Sequence, residues 1–355
     1  MINKLNILRF FLGIIFVILP NGLVIAEDNG VSVFMYHRVG DHRYPSTNVS
    51  IEQLKSQIFE VKKDHYNILK ASDVVRHIAE GIEFKKNSVA FTIDDAYVSF
   101  YENGWPLFRD NDIPATLFIS TDMTDFSIPG YMSWDQIRKY INEGGIIGQH
   151  TASHMSLPFN NVENIKEDIL RSQKRFMEEL GFVPDLFAFP FGEASENVIS
   201  IIKDLNIKSA FGQHSGPISH KSNIYYMPRF SINENFGDIE RFTFSSSLKP
   251  LIINNLKPSD MFITNSKLLN FSFEVENKKL INGLQCFGNL TGEWTSIDLI
   301  KNESSILFSE QTTYKEGRRR INCTSKFNGE WYWFGHQILI TVSYTHLTLP
   351  TTPYV

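Results

Sequence analysis

The chain has 355 residues, of which 42% are hydrophobic and 13% aromatic, and its formal net charge is -5. This length suggests two domains and is ample for a sizeable core. The slight negative charge argues against nucleic acid as a partner, and the composition is that of an ordinary globular protein. Neither length nor composition indicates a substrate.

The first residues have the pattern of a secretory signal. Two basic residues precede an apolar run at 10–19, and Ala26 provides the small residue that a signal peptidase needs. A membrane anchor is the alternative, but Pro20 interrupts the apolar run well short of the about 20 residues that a transmembrane helix requires. We therefore predict a cleaved signal peptide at 1–26. The mature protein is expected to be exported, periplasmic or extracellular, without a stable membrane span.

Short apolar runs alternate with amphipathic stretches from residue 31 to about 245. The runs predicted as buried strands are 31–36, 67–70, 88–93, 115–120, 145–149, 186–190 and 209–213. The stretches predicted as helices from their i, i+3, i+4 spacing are 50–64, 133–145, 161–181 and 195–205. Ser50 and Ser133 are predicted N-caps, and Gly144 and Gly181 predicted C-terminal stops. The alternation implies a mostly parallel sheet, and this many units suggest a barrel.

The pattern changes after about residue 250. Alternating apolar residues and Asn-Gly turn signals predict a smaller all-β, sandwich-like domain at 255–341. Cys286 and Cys323 are predicted to form a disulfide that joins its sheets, since an exported protein meets oxidising conditions; two free core thiols are the alternative. The aromatic cluster at 331–334 is either core or a platform on which sugars stack.

The last residues, 343–355, fit neither pattern. They resemble translated sequencing-adapter text, so we predict a non-native tail. The natural C-terminus is then expected to be missing, and His346 is excluded from any site.

Two clusters of polar residues carry chemistry. Asp94 and Asp95 end an apolar strand, where each raises the cost of ionising the other unless a positive charge lies between them. His150 and His154 are four residues apart, so on a helical turn leaving a strand both imidazoles could reach one ion. One aspartate and two histidines make a metal site with open positions, as catalytic sites have. Asp95 could ligate the metal while Asp94 takes a proton from the bound water.

Either cluster alone is common in surface turns and helices, but both follow apolar strands, where barrel enzymes place catalytic groups. The order FTIDD (91–95), HTASH (150–154) and FAFPFG (187–192), preceded by FMYHRVG (34–40), resembles the polysaccharide deacetylase family. These are the NodB-type enzymes similar to carbohydrate esterase family 4. The resemblance covers about residues 31–245 and implies a distorted (β/α) barrel and a metal-dependent hydrolase.

The resemblance also implies roles for residues of these motifs. Asp94 corresponds to the general base. The implied metal ligands are Asp95, His150 and His154. The implied substrate and oxyanion residues are Thr151, Pro190 and Phe191, with a backbone N–H near Phe191 as oxyanion donor. The implied cofactor is a divalent metal ion, with zinc as the first candidate and nickel or cobalt as alternatives.

The general acid has no match in the family's usual late element. VFMYH at 33–37 is instead similar to the branch of poly-β-1,6-N-acetylglucosamine deacetylases, so His37 is the candidate acid. A structural role for His37 is the alternative, and His214 is the rival acid. Ala188 stands where many relatives have an arginine that orients the base. Arg229, assigned to the substrate and oxyanion group, could supply the missing charge, although it could instead pair with an acidic neighbour on the surface.

We therefore expect an exported, metal-dependent hydrolase that removes acetyl groups from N-acetylated sugars of a polysaccharide. An O-acetyl polysaccharide esterase is one alternative, because the same site could act on esters. A non-catalytic glycan-binding protein is another, although the intact pairs Asp94–Asp95 and His150–His154 argue against it. The expected partner is the polysaccharide or an oligosaccharide of it, and the sequence does not indicate an oligomeric state.

Overall fold

The structure is a computed structural model that describes residues 29–264, 270–309 and 314–341. The predicted signal peptide at 1–26 and the predicted tail at 343–355 lie outside the described residues. Within the described ranges, no helix is both long enough and apolar enough to cross a membrane.

The first part of the chain alternates strands with helices, as predicted. Its strands are β1 (Val31–Tyr36), β2 (Arg38–Val39), β3 (Asn48–Val49), β4 (Asn67–Ile68), β5 (Ser88–Asp94), β6 (Ala115–Ile119), β7 (Ile146–Gln149), β8 (Leu186–Ala188), β9 (Ser209–Phe211) and β10 (Phe230–Ser231). Its helices are α1 (Ile51–Val61), α2 (Ala71–Glu80), α3 (Trp105–Arg109), α4 (Thr121–Asp125), α5 (Trp134–Asn142), α6 (Val162–Leu180), α7 (Glu196–Asp204) and α8 (Ile239–Ser246). Of these helices, α2, α3, α4 and α8 are not among the stretches predicted from the sequence.

Eight of these strands form one parallel sheet in the order β10-β1-β5-β6-β7-β8-β9, with β4 beside β5. One short segment links the two edges of this sheet. Met227 bridges Phe211 of β9, and three residues later Phe230 bridges Phe34 of β1. This curled sheet, covered by helices, confirms the predicted distorted (β/α) barrel. Its strands are almost fully buried, which explains their continuous apolar runs.

Side-chain caps decide where the long helices begin. Ser50 and Ser133 each accept a hydrogen bond from the backbone N–H three residues later, at 3.0 and 3.3 Å, and both complete a capping box. Gly181 ends α6 in the left-handed conformation, with φ 78°. Gly144 lies one residue beyond the C-cap of α5. Gly144 also has a positive φ, 96°, so the predicted caps and both predicted stops are confirmed.

The rest of the described chain is rich in β structure. Its strands are β11 (Lys249–Pro250), β12 (Ile253–Lys257), β13 (Phe262–Ile263), β14 (Ser272–Val275), β15 (Gln285–Gly288), β16 (Thr295–Ile297), β17 (Leu299–Asn302), β18 (Ser305–Phe308), β19 (Gly317–Phe327) and β20 (Glu330–Ile340). One sheet has the order β11-β20-β19-β15-β16 with β13 beside β20, and the other has the order β12-β14-β18-β17. Phe273 and Ile306 of the second sheet share a core with Ile321 and Ile338 of the first. This C-terminal β region therefore has the predicted sandwich-like form.

Cys286 and Cys323 form the predicted disulfide. They lie directly opposite each other on β15 and β19, which are neighbouring antiparallel strands of one sheet. The expectation that the disulfide joins the two sheets is therefore wrong. It reinforces one strand pair within a sheet.

Replacing both Cys286 and Cys323 by alanine is expected to lower the free energy of unfolding by about 2–4 kcal/mol. The disulfide closes a loop with a sequence separation of 37 and so restricts the unfolded chain. Equilibrium unfolding in denaturant measures the change. Reductant present throughout should destabilise the wild type equally and leave the double variant unaffected; a wild-type midpoint insensitive to reductant would contradict the prediction.

The aromatic cluster at 331–334 lies on β20 and alternates between the two faces of the sheet. Tyr332 and Phe334 pack against the core of the β region, whereas Trp333 packs against the core of the barrel. Trp331 keeps 37% of its surface exposed. Three of the four aromatic residues therefore have packing roles, as the core alternative predicts.

Candidate functional site

The predicted site residues come from segments that follow four parallel strands. His37 follows β1, Asp94 ends β5 and Asp95 follows it, the histidine motif at 150–154 follows β7, and the turn at 190–192 follows β8. Because these strands are parallel, the segments meet at the carboxyl edge of the sheet. The aspartate pair and the histidine motif, which the sequence placed after separate strands, therefore lie close together in space.

Asp94 and Arg229 form a fully buried, bidentate ion pair. The Arg229 nitrogens Nη1 and Nη2 donate to Oδ1 and Oδ2 of Asp94 at 2.7 and 2.8 Å, and both side chains have 0% exposure. Arg229 Nε donates to the carbonyl of Gly212 at 2.9 Å. Burial raises the pKa of Asp94, but the charge of Arg229, the charge of His150 and the hydrogen bonds from Arg229 together outweigh it, so the pKa lies below its usual value. Asp94 is thus a carboxylate with a fixed orientation.

This ion pair shows where Arg229 lies relative to the candidate base. Its guanidinium is buried, and each of its three nitrogens already donates to a protein acceptor, so its assignment to the substrate and oxyanion group does not fit the structure. The surface ion pair considered as an alternative is excluded for the same reason. Arg229 reaches Asp94 from the segment before β10, while Ala188 leaves the usual arginine position without a charge.

Asp95, His150 and His154 form a cluster suited to a metal ion. One possible ligand atom from each residue lies within 4.8 Å of the others. Asp95 Oδ1 is 3.5 Å from His150 Nε2 and 3.3 Å from His154 Nε2. Asp95 itself has a φ of 74°, a left-handed conformation that is uncommon outside glycine and often occurs at functional sites.

The hydrogen bond at the far side of His150 fixes its tautomer. Nδ1 donates to the carbonyl of Ala188 at 2.7 Å, so Nε2 of the neutral ring carries no hydrogen. This Nε2 is buried and has no hydrogen-bond partner, and it faces the Asp95 carboxylate. Two acceptors in contact repel each other unless a cation or proton lies between them. The donor set therefore fits a divalent metal ion.

The electrostatics of the cluster agree with this interpretation. Burial lowers the pKa of His150, but the carboxylates of Asp95 and Asp94 raise it by more. The pKa of His150 therefore lies above the usual value of a histidine. Burial and the charge of His150 lower the pKa of His154 to about 4. His154 is therefore neutral at physiological pH, as a metal ligand must be. The cluster attracts positive charge, which a metal ion would supply.

The histidine motif does not form the helical turn that its spacing predicted. Thr151 and His154 have φ values of 66° and 58°, and Thr151 Oγ1 accepts a hydrogen bond from the His154 N–H at 2.9 Å. The carboxylate of Asp168, in α6, accepts from the N–H groups of Ala152 and Ser153 at 3.0 and 3.1 Å. Side chains thus bind the N–H groups that a helix would use, and the prediction is wrong.

His37 and His214, the two candidate acids, lie in different surroundings. Burial raises the pKa of Asp95, but the neighbouring histidines His150, His37 and His154 together lower it well below its usual value. Burial lowers the pKa of His214 well below normal, and its ring stacks on Tyr226 with the centroids 4.4 Å apart. His37 stays the candidate acid, and His214 its rival.

The turn at 190–192 lies against the cluster. Phe191 has a φ of 59°, and the edge of its ring meets the His154 ring with the centroids 4.6 Å apart. Pro190 is buried. The third motif therefore forms one wall of the site.

Comparison with known proteins agrees with this geometry. The sequence model of the polysaccharide deacetylase family matches residues 81–210. That range contains Asp94, Asp95 and both histidines of the cluster. The chain contains a polysaccharide deacetylase domain.

Relatives and solved structures extend the similarity of this deacetylase domain beyond the matched range. A poly-β-1,6-N-acetyl-D-glucosamine N-deacetylase of Staphylococcus aureus strain MRSA252 is 24% identical over 222 residues, 59% of this chain and 76% of the relative. The Streptococcus pyogenes deacetylase PplD, solved with acetate, has a TM-score of 0.56 and 20% identity over 61% of this chain and 98% of its own. IcaB from Ammonifex degensii has a TM-score of 0.56 and 20% identity over 62% and 97%. These structures share the fold of the deacetylase domain.

Two supports of the deacetylase site were missed in the sequence. Asp168 lies on the buried face of α6, beside Ile165 and Ile169, and an acid among apolar positions is a signal that could have been used. Gln337, in β20, donates to the carbonyl of Phe191, and nothing in the local pattern of β20 indicates this contact.

Proposed function

We propose that this protein is an exported, metal-dependent hydrolase that removes acetyl groups from N-acetylated sugars of a polysaccharide. The observation that carries the proposal is the cluster of Asp95, His150 and His154 beside Asp94, which Arg229 holds ionised, within a deacetylase domain. A carboxylate poised next to a metal site is the arrangement that metal-assisted hydrolysis requires.

Asp95, His150 and His154 are the proposed ligands of a divalent ion, with zinc as the first candidate and nickel or cobalt as alternatives. Two imidazoles and one carboxylate suit all three ions, and the unpartnered Nε2 of His150 supports the assignment. A bound ion would supply Lewis acidity at this edge of the barrel. His150 is preset for ligation because its Nδ1 already donates to the Ala188 carbonyl.

Asp94 is the proposed general base. A carboxylate oxygen has two lone-pair sites, so the bidentate pair with Arg229 leaves Asp94 further acceptor capacity for the proton of an attacking water. Arg229 keeps Asp94 ionised and oriented, which is the role that Ala188 cannot perform. Arg229 is therefore proposed as a positioning residue and not as a substrate contact.

His37 is the proposed general acid that protonates the leaving amine, since its charge acts on Asp95 across the site. Pro190 and Phe191 would line the acetyl group, and a backbone N–H near Phe191 would stabilise the oxyanion. Thr151 contributes by holding the His154 backbone. These roles place the base at the end of β5 and the acid directly after β1, the neighbouring strand.

The substrate proposal rests on the relatives. The curated name of the Staphylococcus aureus relative includes poly-β-1,6-N-acetyl-D-glucosamine, so β-1,6-linked N-acetylglucosamine oligomers are the first substrates to test. Export is supported by the disulfide, because such bonds persist in oxidising compartments.

Acetate release by the purified protein tests the function. Oligomers of β-1,6-linked N-acetylglucosamine and O-acetylated xylan are offered in parallel, with chelator and then with restored zinc, nickel or cobalt. Release from the oligomers that chelator abolishes and metal restores is the expected result. Release from xylan alone would assign an esterase, and tight glycan binding with bound metal but no release would assign a binding protein.

His37→Ala is expected to lower turnover by about 100-fold, because an amine is a poor leaving group without a proton donor. Metal content per chain should stay at the wild-type value, which separates a lost acid from a lost ligand. His42→Ala is the matched control, since this nearby histidine is exposed and pairs with Glu234. Unchanged turnover in His37→Ala would move the acid elsewhere, with His214→Ala as the next variant.

A further inference from the structure

The β19–β20 pair has two faces with different neighbours, because alternate side chains of a strand point in opposite directions. Ile321, Cys323 and Ile338 lie in the core of the C-terminal β region. From the other face, Asn322 accepts a hydrogen bond from Ser215 of the barrel at 2.9 Å. This second face is therefore an interface with the deacetylase domain.

The backbones of the C-terminal β region and the barrel approach each other closely at this interface. Gly335 lies opposite Asn322 on β20, and a Cβ added to it would come within 1.9 Å of the Ser215 carbonyl oxygen. Trp333 Nε1 donates to Ser215 Oγ at 3.2 Å. Glycine permits this approach where any side chain would clash. The β region is thus fitted to the barrel and not merely tethered to it.

At one end of the interface, Gln337 binds the turn that forms a wall of the site. Its Nε2 donates to the carbonyls of Phe191 at 3.0 Å and Gly192 at 2.9 Å. Arg320, its partner across the strand pair, donates from Nε to Gln337 Oε1 at 3.1 Å and so orients the amide. Since Phe191 has a positive φ, its conformation needs such external support.

Arg318 supports the same turn from the side. Its Nε lies 3.0 Å from Oε1 of Glu193, a carboxylate that is almost fully buried. Its guanidinium carbon lies 5.3 Å from the centroid of the Phe191 ring, within the range of a cation–π contact. The edge of that ring meets His154. Contacts therefore run without a gap from β19 to a proposed metal ligand.

We propose that the C-terminal β region is part of the active site, with Gln337 and Arg318 as positioning residues that hold the turn at 190–193 against His154. This inference rests on the proposed function and deepens it. The proposed acetyl-binding wall is then formed by a turn of the barrel and supported by side chains of the C-terminal β region. It also replaces the hypothesis of a separate sugar-binding module with a supporting role.

Gln337→Met and Arg318→Ala test this proposal, and Arg319→Ala is the matched control. Arg319 is the adjacent residue of β19 and donates to the carbonyls of Lys315 and Glu316 instead. Hydrogen exchange of the peptide covering 186–195 should become at least about tenfold faster in both test variants. The kcat for acetate release should fall by about 10- to 100-fold at unchanged metal content, because a small displacement of the wall misplaces the reacting group.

Several readouts separate positioning from general destabilisation. Exchange in β1 and β5 should stay at the wild-type rate, and Arg318→Lys, which keeps a cation beside Glu193, should restore most of kcat. Arg318 is 37% exposed, so its variant is expected to fold even if Gln337→Met does not. If the wild type releases no acetate, the proposed function fails. The hydrogen-exchange data alone then decide whether Gln337 and Arg318 hold the turn at 190–193. Unchanged exchange at 186–195, unchanged kcat despite faster exchange, or equal effects in Arg319→Ala would overturn the proposal.

Discussion

Asp94→Asn is expected to lower acetate release by about 100- to 10,000-fold, the range that a positioned general base contributes. Asparagine keeps the size of the side chain and one acceptor oxygen, but it cannot take a proton from water. The proposed ligands Asp95, His150 and His154 are untouched, so metal content per chain should remain at the wild-type value. Steady-state kinetics on β-1,6-linked N-acetylglucosamine oligomers, with metal analysis of the same samples, measure both quantities.

The control for this variant must account for Arg229, whose buried charge loses its partner in Asp94→Asn. Activity should therefore be assayed at a temperature at which circular dichroism shows the variant folded. Asp110→Asn makes the same chemical change at an exposed ion pair with Arg109 and should leave kcat unchanged. Activity of folded Asp94→Asn within about twofold of wild type would exclude a general-base contribution of the usual size.

The edge of the sheet at which the site lies could be predicted from the sequence. Buried parallel strands appear as short apolar runs, and polar residues directly after such runs must meet at the carboxyl edge. The positions of Asp94, Asp95 and the turn at 190–192 follow from that rule alone. The roles of the two aspartates follow from the chemistry of adjacent carboxylates near two histidines, whereas the role of the turn required the family resemblance.

The conformation of the histidine motif could not be predicted in the same way. A spacing of four is compatible with a helical turn, but Thr151 and Asp168 bind the backbone N–H groups that such a turn would need. Asp168 lies in the following helix, so the local sequence does not contain the competing partner. The wrong helical prediction thus reflects a tertiary contact that overrides local spacing.

The contact of the β region with the turn at 190–192 could not be predicted from the sequence for a related reason. Gln337 and Phe191 are 146 positions apart in the chain and belong to parts with different periodicities. The strand pattern of β20 shows that alternate residues face opposite sides, yet it does not show what lies opposite. The disulfide illustrates the same limit, because two cysteines predict their pairing but not which strands are neighbours.

Arg229→Met is expected to lower the free energy of unfolding by about 3–5 kcal/mol, the usual cost of removing one partner from a buried ion pair. Methionine replaces most of the apolar volume, but it leaves the Asp94 carboxylate in a dry environment without its two charge-assisted hydrogen bonds. The Gly212 carbonyl also loses its donor. Denaturant-induced unfolding, followed by far-ultraviolet circular dichroism, measures the change.

Two comparisons show how much of the lost stability comes from burial of the ion pair. One uses a matched surface ion pair, and the other uses a double variant. Arg109→Met removes an arginine that pairs with Asp110 and is 39% exposed, so its expected cost is within about 1 kcal/mol. Adding Asp94→Asn to Arg229→Met removes the unpaired charge and should recover part of the lost stability, giving a non-additive cycle. Equal losses in Arg229→Met and Arg109→Met, or strict additivity in the cycle, would show that the buried pair does not stabilise this edge of the barrel. Non-additivity would instead tie the stability of the barrel to the orientation of its proposed base, because one pair of hydrogen bonds serves both.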